Sequence, residues 1–298
     1  MISTALSLTI VLLVWAWGIA APFILVAAII LASFLLAAAN ASPRAPETRL
    51  GLAARLRLWG GELLAAWWVM LVCMPLRLVG RDAAGARAES APVLLIHGYQ
   101  NNAGALWTLW RSLRAAGFRT HTIDLEPVHA DLDAYAPRID ERIAQIRAAT
   151  GAGRVILVCH SMGGLVARAY LRRFGAATVA KVITLGTPHH GTVHAKTAAG
   201  RNGRQMEPGN TWLAELARTE ANAWPCPFVS IYSHDDNIVA PQLSARLDGA
   251  RNIALGGIGH ISLPMSARVA ALVIEEITRD AVISSAPSSP STARAGGA

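Results

Sequence analysis

The chain has 298 residues, of which 53% are hydrophobic and only 15% are charged. This composition is more apolar than a soluble enzyme of that length needs, which predicts that part of the chain lies in a membrane. The formal net charge of +8 comes without a DNA- or RNA-binding motif, so no nucleic-acid partner is predicted; arginines beside apolar segments suit anionic lipid head groups instead.

The first predicted element is an uncharged, apolar segment from Met1 to Ala39. A spanning helix needs roughly 20 apolar residues, so the segment is long enough for two short spans that turn near Gly18 and Pro22, or for one long tilted helix. A cleaved signal peptide is the alternative, because Ala39-Asn40-Ala41 imitates a cleavage site. However, no basic residue precedes the apolar run, and the run exceeds the roughly 7 to 15 residues of a signal core. A membrane anchor is therefore favoured.

A second apolar stretch runs from Leu63 to Leu76 and contains Trp67 and Trp68. It is either a further span or a helix lying in the membrane interface, where tryptophan is favoured. Arginines stand on both of its sides, so the positive-inside rule leaves the facing of the rest of the chain open. We expect residues 1–78 to form a membrane anchor of two or three apolar helices. The alanine-rich composition, in which arginine far outnumbers lysine, favours a GC-rich bacterial source, and we expect the chain to be anchored in the bacterial inner membrane.

Short apolar runs alternate with amphipathic stretches after a basic linker at residues 79–91. This alternation is typical of an α/β fold with a mostly parallel sheet flanked by helices, whose strands are continuously apolar because both faces are buried. The predicted strands are Pro92–Ile96, Arg119–Leu125, Arg154–His160, Val179–Leu185, Pro227–Tyr232 and Asn252–Leu255. The predicted helices are Leu106–Ala116, Leu132–Ala149, Met162–Phe174, Thr211–Ala217 and Pro264–Thr278.

This α/β domain is assigned to residues 92–281. A long, polar, glycine-containing segment at about residues 190–224 separates two of its strands, and such an insertion is where the fold accommodates a lid. The tail at residues 282–298 is rich in Ser, Pro, Ala and Gly and is predicted to be disordered. The oligomeric state does not follow from the sequence.

A serine stands where the strand at 154–160 runs directly into a helix. This arrangement is a nucleophile elbow, in which a sharp turn exposes the Oγ of Ser161 and the N–H of Met162, at the start of the helix, stabilises an oxyanion. The usual Gly-x-Ser-x-Gly pattern is broken because Cys159 replaces the first glycine. A helix N-cap is the plain structural alternative for such a serine.

The strand at 92–96 ends in His97-Gly98-Tyr99. A His-Gly turn at this point forms the other half of an oxyanion hole, with the N–H of Tyr99 as the donor. His97 precedes the serine, whereas enzymes with such an elbow order their triad as serine, acid and histidine. We therefore interpret His97 as structural.

The acid and the base are expected after later strands. Two adjacent aspartates, Asp235 and Asp236, follow the strand at 227–232, and Asp236 is favoured because it stands three residues before Val239 in an Asp-x-x-Val turn. His260 follows the last strand after a glycine-rich turn and precedes the last helix. The predicted triad is therefore Ser161, Asp236 and His260.

These segments, together with the Gly-Thr-Pro-His-His-Gly-Thr element at residues 186–192, resemble the bacterial triacylglycerol lipase and esterase group of the α/β-hydrolases. The resemblance covers roughly Pro92 to Ile277 and implies the α/β-hydrolase fold and the hydrolysis of acyl esters. The chain lacks a clear pair of aspartates like those that bind calcium in larger lipases. His189, His190 and His194 lack convincing partners for zinc, so neither a metal nor a cofactor is predicted.

The predicted chemistry is attack of Ser161 on a membrane-proximal ester, followed by hydrolysis of the acyl-enzyme. One alternative is an acyltransferase that passes the acyl group to an alcohol or amine. A second is a membrane scaffold that has lost its activity. Leu106, Trp107 and Trp110 could line an acyl pocket, but the buried face of a helix is the favoured interpretation.

Overall fold

The computed structural model describes the backbone of residues 2–45, 49–87, 90–220 and 224–284. Its α-helices are α1 (Ile2–Ala39), α2 (Leu52–Trp68), α3 (Trp107–Ala115), α4 (Ala136–Thr150), α5 (Met162–Phe174), α6 (Gly200–Gln205), α7 (Thr211–Thr219) and α8 (Ala267–Ser284). Its strands are β1 (Asp82–Ala83), β2 (Val93–Ile96), β3 (Thr120–Ile123), β4 (Val155–His160), β5 (Val179–Leu185), β6 (Phe228–Ser233) and β7 (Arg251–Leu255).

The strands described form one seven-stranded sheet in the order β1-β3-β2-β4-β5-β6-β7. Every neighbouring pair is parallel except β1 with β3. All six predicted strands are present, and the predicted α/β fold is confirmed. The edge strand β1 was not predicted, because two residues inside a basic, linker-like segment carry no strand pattern.

Helices cover both faces of the sheet, as the continuous burial of its central strands requires. On one face α4 packs Ile139, Ile143 and Ile146 at helical spacing into a core shared with α5. On the other face α3 and α8 pack into a second core, in which Leu106 and Trp110 are buried. The favoured interpretation of these two residues as the buried face of a helix therefore agrees with their positions.

The N-terminal helices lie against each other and against the α/β domain. The backbone of α1 is one helix through Gly18 and Pro22, where a turn between two spans was one of two alternatives. A π-helical segment, Val69–Cys73, continues α2. The rings of Phe23 and Trp67 are 5.3 Å apart and those of Phe34 and Trp59 are 5.9 Å apart, so the two helices are antiparallel. We call α1 and α2 with its π-helical continuation the N-terminal hairpin.

Two segments of the hairpin, Ala20–Ala39 and Leu52–Cys73, are long and apolar enough to cross a membrane by length and composition alone. A signal sequence near the N-terminus or a core helix passes the same test. The segment predicted as a lid contains α6 and α7, which pack against the α4–α5 side of the domain. Residues 285–298, most of the tail predicted to be disordered, lie outside the described residues.

Candidate active site

The candidate site lies at the carboxyl edge of the sheet, where the strand order reverses. From β2 the chain passes to β3 on one side and then to β4 on the other side of β2. A crevice at such a switch point is where open α/β sheets bind ligands. The loop after β2 carries Gly98, and the residue after β4 is Ser161. A Cβ atom on Gly98 would lie only 2.9 Å from the Cβ of Ser161, so the two loops are in direct contact.

Ser161 occupies the sharp turn that the sequence predicts. Its backbone angles are φ 54° and ψ −126°, a region that non-glycine residues rarely adopt and that stores strain at functional sites. Cys159 is fully buried in the core beneath the turn and lies opposite Ile96 in the sheet. Cysteine is therefore accommodated at the position where glycine is usual, and its side chain is directed into the core.

Three side chains from three different loops form a continuous chain of hydrogen bonds. His260 Nε2 is 2.9 Å from Ser161 Oγ, and His260 Nδ1 is 2.8 Å from Asp236 Oδ2. The other carboxylate oxygen of Asp236 accepts the backbone N–H groups of Ile238 at 2.8 Å and Val239 at 2.7 Å. The three side chains are almost completely buried, so the orientation of the imidazole is fixed from both sides.

The neighbouring acid, Asp235, has different partners. Its carboxylate accepts hydrogen bonds from the guanidinium of Arg44 at 2.8 Å and from the N–H of Gly257 at 2.7 Å. His97 is not part of the hydrogen-bond chain through His260 either. Its Nδ1 donates to the carbonyl of Gly98 and its Nε2 accepts the N–H of Leu125, both at 2.9 Å. The structure thus brings Asp236, and neither Asp235 nor His97, to His260.

The surroundings of His260 favour its protonated form. Burial lowers the pKa of its imidazole, but the negative charge and hydrogen bond of Asp236 and the charge of Glu62 outweigh that effect, so the pKa lies above its ordinary value. His160, whose ring centroid is 4.8 Å from that of His260, behaves in the opposite way. Burial and the charge of His260 lower the pKa of His160 to about 3, so it stays neutral beside the base. Burial raises the pKa of the Cys159 thiol, which keeps it protonated.

The predicted oxyanion donors lie on the two contacting loops. Met162 is the first residue of α5, where a backbone N–H has no partner within the helix, and Tyr99 follows Gly98. Among the described residues, neither of these two N–H groups has a hydrogen-bond acceptor. The phenol of Tyr99 donates to the carbonyl of Ala199 at 2.8 Å, which connects this loop to the segment predicted as a lid.

Two of the three histidines considered as zinc ligands, His189 and His190, have protein hydrogen-bond partners. The imidazole of His189 lies between the guanidinium of Arg168 and the hydroxyl of Thr184, and His190 Nε2 contacts the carbonyl of Arg246 at 3.1 Å. No group of three His, Cys, Asp or Glu side chains that could hold a metal ion occurs within the described part of the chain.

Two residues near the site were not predicted from the sequence. Asn237 accepts the backbone N–H of His260 at 3.0 Å. Glu62, from α2, accepts the N–H of Ile261 at 2.6 Å and the N–H and hydroxyl of Ser262 at 3.0 and 2.6 Å. A lone acid within an apolar helix is a signal that could have identified Glu62, because such a charge is costly and needs a partner.

Comparison with known proteins agrees with this fold. Residues 91–203 match the family model of the α/β hydrolase fold. Triacylglycerol lipases of Pseudarthrobacter phenanthrenivorans and Burkholderia plantarii are each 34% identical over 117 residues, which is 36% of this chain and 36% and 32% of those lipases. The chain thus spans about a third of the length of these curated relatives.

Solved lipase structures cover more of the chain at lower identity. The mature lipase BlEst2 of Bacillus licheniformis superimposes with a TM-score of 0.60 and 20% identity over 66% of this chain and 96% of that one. Lipase B of Aspergillus fumigatus gives a TM-score of 0.56 and 20% identity over 66% and 56% of the two chains. The α/β domain of this chain therefore has the α/β hydrolase fold, and two of the curated proteins that it resembles in sequence are triacylglycerol lipases.

Proposed function

We propose that this chain is a serine hydrolase of carboxylic esters, a lipase or esterase, in which Ser161 is the nucleophile, His260 the base and Asp236 the acid. The observation that carries the proposal is the unbroken hydrogen-bond chain from Ser161 through His260 to Asp236 at 2.9 and 2.8 Å. Nucleophile, base and orienting acid within hydrogen-bond reach, in a buried and strained turn, are the geometric requirements for covalent catalysis by serine.

The reaction follows from these positions. His260 Nε2 removes the proton from Ser161 Oγ as the oxygen attacks the ester carbonyl carbon. The tetrahedral intermediate collapses, the carbon–oxygen ester bond breaks, and the imidazolium donates its proton to the leaving alcohol. Water, deprotonated by the same nitrogen, then attacks the acyl carbon; the bond to Ser161 Oγ breaks, the imidazolium returns its proton to that oxygen, and the carboxylic acid is released. Asp236 keeps the Nδ1 proton in place and stabilises the imidazolium in both halves of the reaction.

The backbone N–H groups of Tyr99 and Met162 are the proposed donors to the intermediate's negative oxygen. Loss of one such donor typically costs about 3 kcal/mol of transition-state stabilisation. Because both donors belong to the backbone, their position depends on the two loops rather than on the side chains. The contact between Gly98 and Ser161 keeps these loops together and supports this assignment.

We further propose that residues 1–78 attach the catalytic domain, residues 92–281, to a membrane and that the substrate is an acyl ester that partitions into lipid. Among the hairpin side chains that the structure describes, the exposed ones are mostly apolar and include Phe23, Ile24, Leu25, Ile29, Leu31, Leu35, Leu36, Leu52, Leu56, Leu64, Trp68, Met70 and Leu71. An exposed apolar surface of this extent is typical of a protein or membrane contact. The names of the sequence relatives favour an acylglycerol as the ester.

Labelling of the full-length, detergent-solubilised protein with a fluorophosphonate probe tests the nucleophile. We expect covalent labelling of the wild type, none in Ser161→Ala, and turnover of p-nitrophenyl esters that disappears in the same variant. Retained hydrolysis in Ser161→Ala would contradict the assignment of Ser161 as the nucleophile. Folded wild type without labelling would favour an inactive scaffold, and acyl transfer to an added alcohol in preference to water would favour an acyltransferase.

Membrane attachment and substrate class need separate measurements. We expect the chain to float with phospholipid vesicles at high salt and to prefer p-nitrophenyl esters of longer acyl chains over the acetate. Recovery of the intact chain in the soluble fraction would contradict the anchor, and a strict preference for acetate would contradict a lipid substrate.

A further inference from the structure

The N-terminal hairpin makes specific polar contacts with the loops that carry the proposed base and acid. An anchor that merely tethers a domain needs no such contacts. Here three polar residues among the first 62, Ser33 and Glu62 through their side chains and Ser42 through its backbone N–H, hydrogen-bond to the loops around His260 and Asp236. The proposed triad chemistry does not account for any of them.

Glu62 makes the most extensive of these contacts. It lies on the face of α2 that packs against the domain and is fully buried. Its two carboxylate oxygens together accept two backbone N–H groups and one hydroxyl from Ile261 and Ser262, the two residues that follow His260. A buried charge is tolerated only where such partners satisfy it. Three donors from one short turn fix the position of that turn relative to α2.

The residue before His260 is adapted to this carboxylate. A Cβ atom on Gly259 would lie 2.4 Å from Glu62 Oε2 and 2.5 Å from its carboxyl carbon. Only a residue without a side chain allows the carboxylate to approach the turn this closely. Glu62 and Gly259 are therefore complementary across the contact between hairpin and domain.

The other two contacts reach the triad through one intermediate side chain each. The hydroxyl of Ser33 accepts a hydrogen bond from the amide of Asn237 at 2.7 Å, and Asn237 in turn accepts the N–H of His260. Gln242 accepts the N–H of Ser42 at 3.0 Å and donates to the backbone carbonyl of Asp236 at 3.1 Å. Both α1 and the segment that follows it thus contact, through one side chain each, the backbone of His260 and of Asp236.

We propose that Glu62 is a positioning residue for His260: through the turn at residues 259–262 it keeps the imidazole within hydrogen-bond distance of Ser161. The apolar hairpin is then a structural part of the active centre. This inference rests on the proposed function, because it assigns Glu62 a role in the orientation of the proposed base. Glu62 does not contact the reacting atoms and acts only through the backbone and the electric field at His260.

An electrostatic readout distinguishes this role from simple attachment of the hairpin. The charged or titratable groups that surround His260 are Asp236 after β6, Glu62 from α2, His160 at the end of β4, and His194 from the segment after β5. The charge of Glu62 acts with that of Asp236 to raise the pKa of His260 against the effect of burial. Removal of that charge must lower the pKa of the imidazole, because the protonated form loses a stabilising neighbour.

The test compares Glu62→Gln with a matched control, Glu276→Gln, in the full-length protein in detergent. Glu276 is also a buried carboxylate, and it accepts a hydrogen bond from Arg251. Arg251 is the first residue of β7 and therefore lies at the amino end of the strand, away from the carboxyl edge that carries the candidate site. In Glu62→Gln one amide N–H must face a backbone N–H, so at least one hydrogen bond to the turn is lost. We expect kcat for a short, soluble ester to fall about tenfold or more, with KM nearly unchanged.

The same comparison includes the pH dependence. We expect the acidic limb of kcat/KM to move to lower pH in Glu62→Gln, because the neutral imidazole persists to lower pH, and to stay in place in Glu276→Gln. Histidine NMR titration of the wild type and both variants measures the pKa of His260 without any substrate. If Glu62→Gln does not fold, Gly259→Ala disturbs the same contact from the other side.

Unchanged kcat and an unchanged His260 titration in Glu62→Gln would overturn the proposal, as would equal losses in Glu276→Gln. A wild type that neither hydrolyses esters nor reacts with fluorophosphonate refutes the proposed function instead. In that case the NMR titration still decides whether Glu62 sets the state of His260.

Discussion

Replacement of Asp236 by asparagine gives a prediction whose size follows from the hydrogen bonds of the site. The carboxylate oxygen Oδ1 accepts two backbone N–H groups, at 2.8 and 2.7 Å. In Asp236→Asn the amide NH2 cannot occupy that position, because it would face two donors. The amide carbonyl must therefore stay there, and the NH2 group must point at His260 Nδ1.

A donor at Nδ1 forces the imidazole into the wrong tautomer. The single proton of the neutral ring then sits on Nε2, which faces Ser161 Oγ at 2.9 Å and can no longer accept the serine proton. In serine proteases this change costs roughly 10⁴-fold in kcat, which corresponds to about 5.4 kcal/mol at 1.36 kcal/mol per factor of ten. We expect a loss of that order in Asp236→Asn, with the fold retained.

Asp235→Asn is the matched control, one residue away and of identical chemistry. Asp235 pairs with Arg44 and the N–H of Gly257 rather than with His260, and a partly exposed ion pair is worth about 1 kcal/mol or less. We expect its kcat to stay within about fivefold of the wild type. The assay is p-nitrophenyl butyrate hydrolysis at alkaline pH, with circular dichroism as the check of folding. Equal losses in the two variants, or an active Asp236→Asn, would refute the tautomer argument.

Four further predictions concern the rest of the site. The kcat/KM profile should fall on the acidic side with an apparent pKa above 6.5, the ordinary value for histidine, because His260 must be neutral to act and its pKa is raised; a limb below that value would contradict the electrostatics. Tyr99→Phe and Met162→Leu should each change kcat less than about tenfold, because the proposed donors are backbone N–H groups; a loss near the roughly 10²- to 10³-fold typical of a missing donor would show that the side chains act. Gly163→Ala should cost about 3 kcal/mol or more in unfolding free energy, because its Cβ would meet two carbonyl oxygens at 2.6 and 2.7 Å; an unaltered melting temperature would argue against the tight elbow. Deletion of residues 1–78 should give a protein without activity on soluble esters, and an active, soluble fragment would show that the hairpin is dispensable.

Local patterns in the sequence were sufficient to predict the strands and helices of the α/β domain. Its central strands are buried on both faces and so appear as uninterrupted apolar runs. The helix α4 could be predicted because its isoleucines recur at helical spacing on the buried face. The elbow at Ser161 and the glycine-rich turn before His260 were recognisable because a strand–serine–helix junction and a histidine after the last strand are constrained by the chain itself.

The contacts between hairpin and domain could not be predicted in the same way. Glu62 and Ser262 are 200 residues apart in the chain, and no local pattern connects an acid in an apolar helix to a turn that far away. Similarly, the choice between Asp235 and Asp236 depends on which carboxylate the loop turns toward His260. The carboxylate of Asp235 instead binds Arg44, which lies in the segment that the sequence assigns to the anchor.

The two faces of α2 restrict how the proposed attachment of the hairpin to a membrane can be arranged. Leu58, Glu62, Ala65 and Ala66 face the domain or α1, whereas Leu56, Leu64 and Trp68 are exposed on the other side. A charged side chain at the centre of a membrane costs at least about 2.5 kcal/mol, and Glu62 avoids that cost only while it remains bound to the turn after His260. A helix that keeps one face on the domain and offers the other to lipid matches an interfacial helix better than a separate span. In the proposed membrane-attached state, this arrangement would place the carboxyl edge of the sheet, with Ser161, close to the membrane surface from which a lipid ester would come.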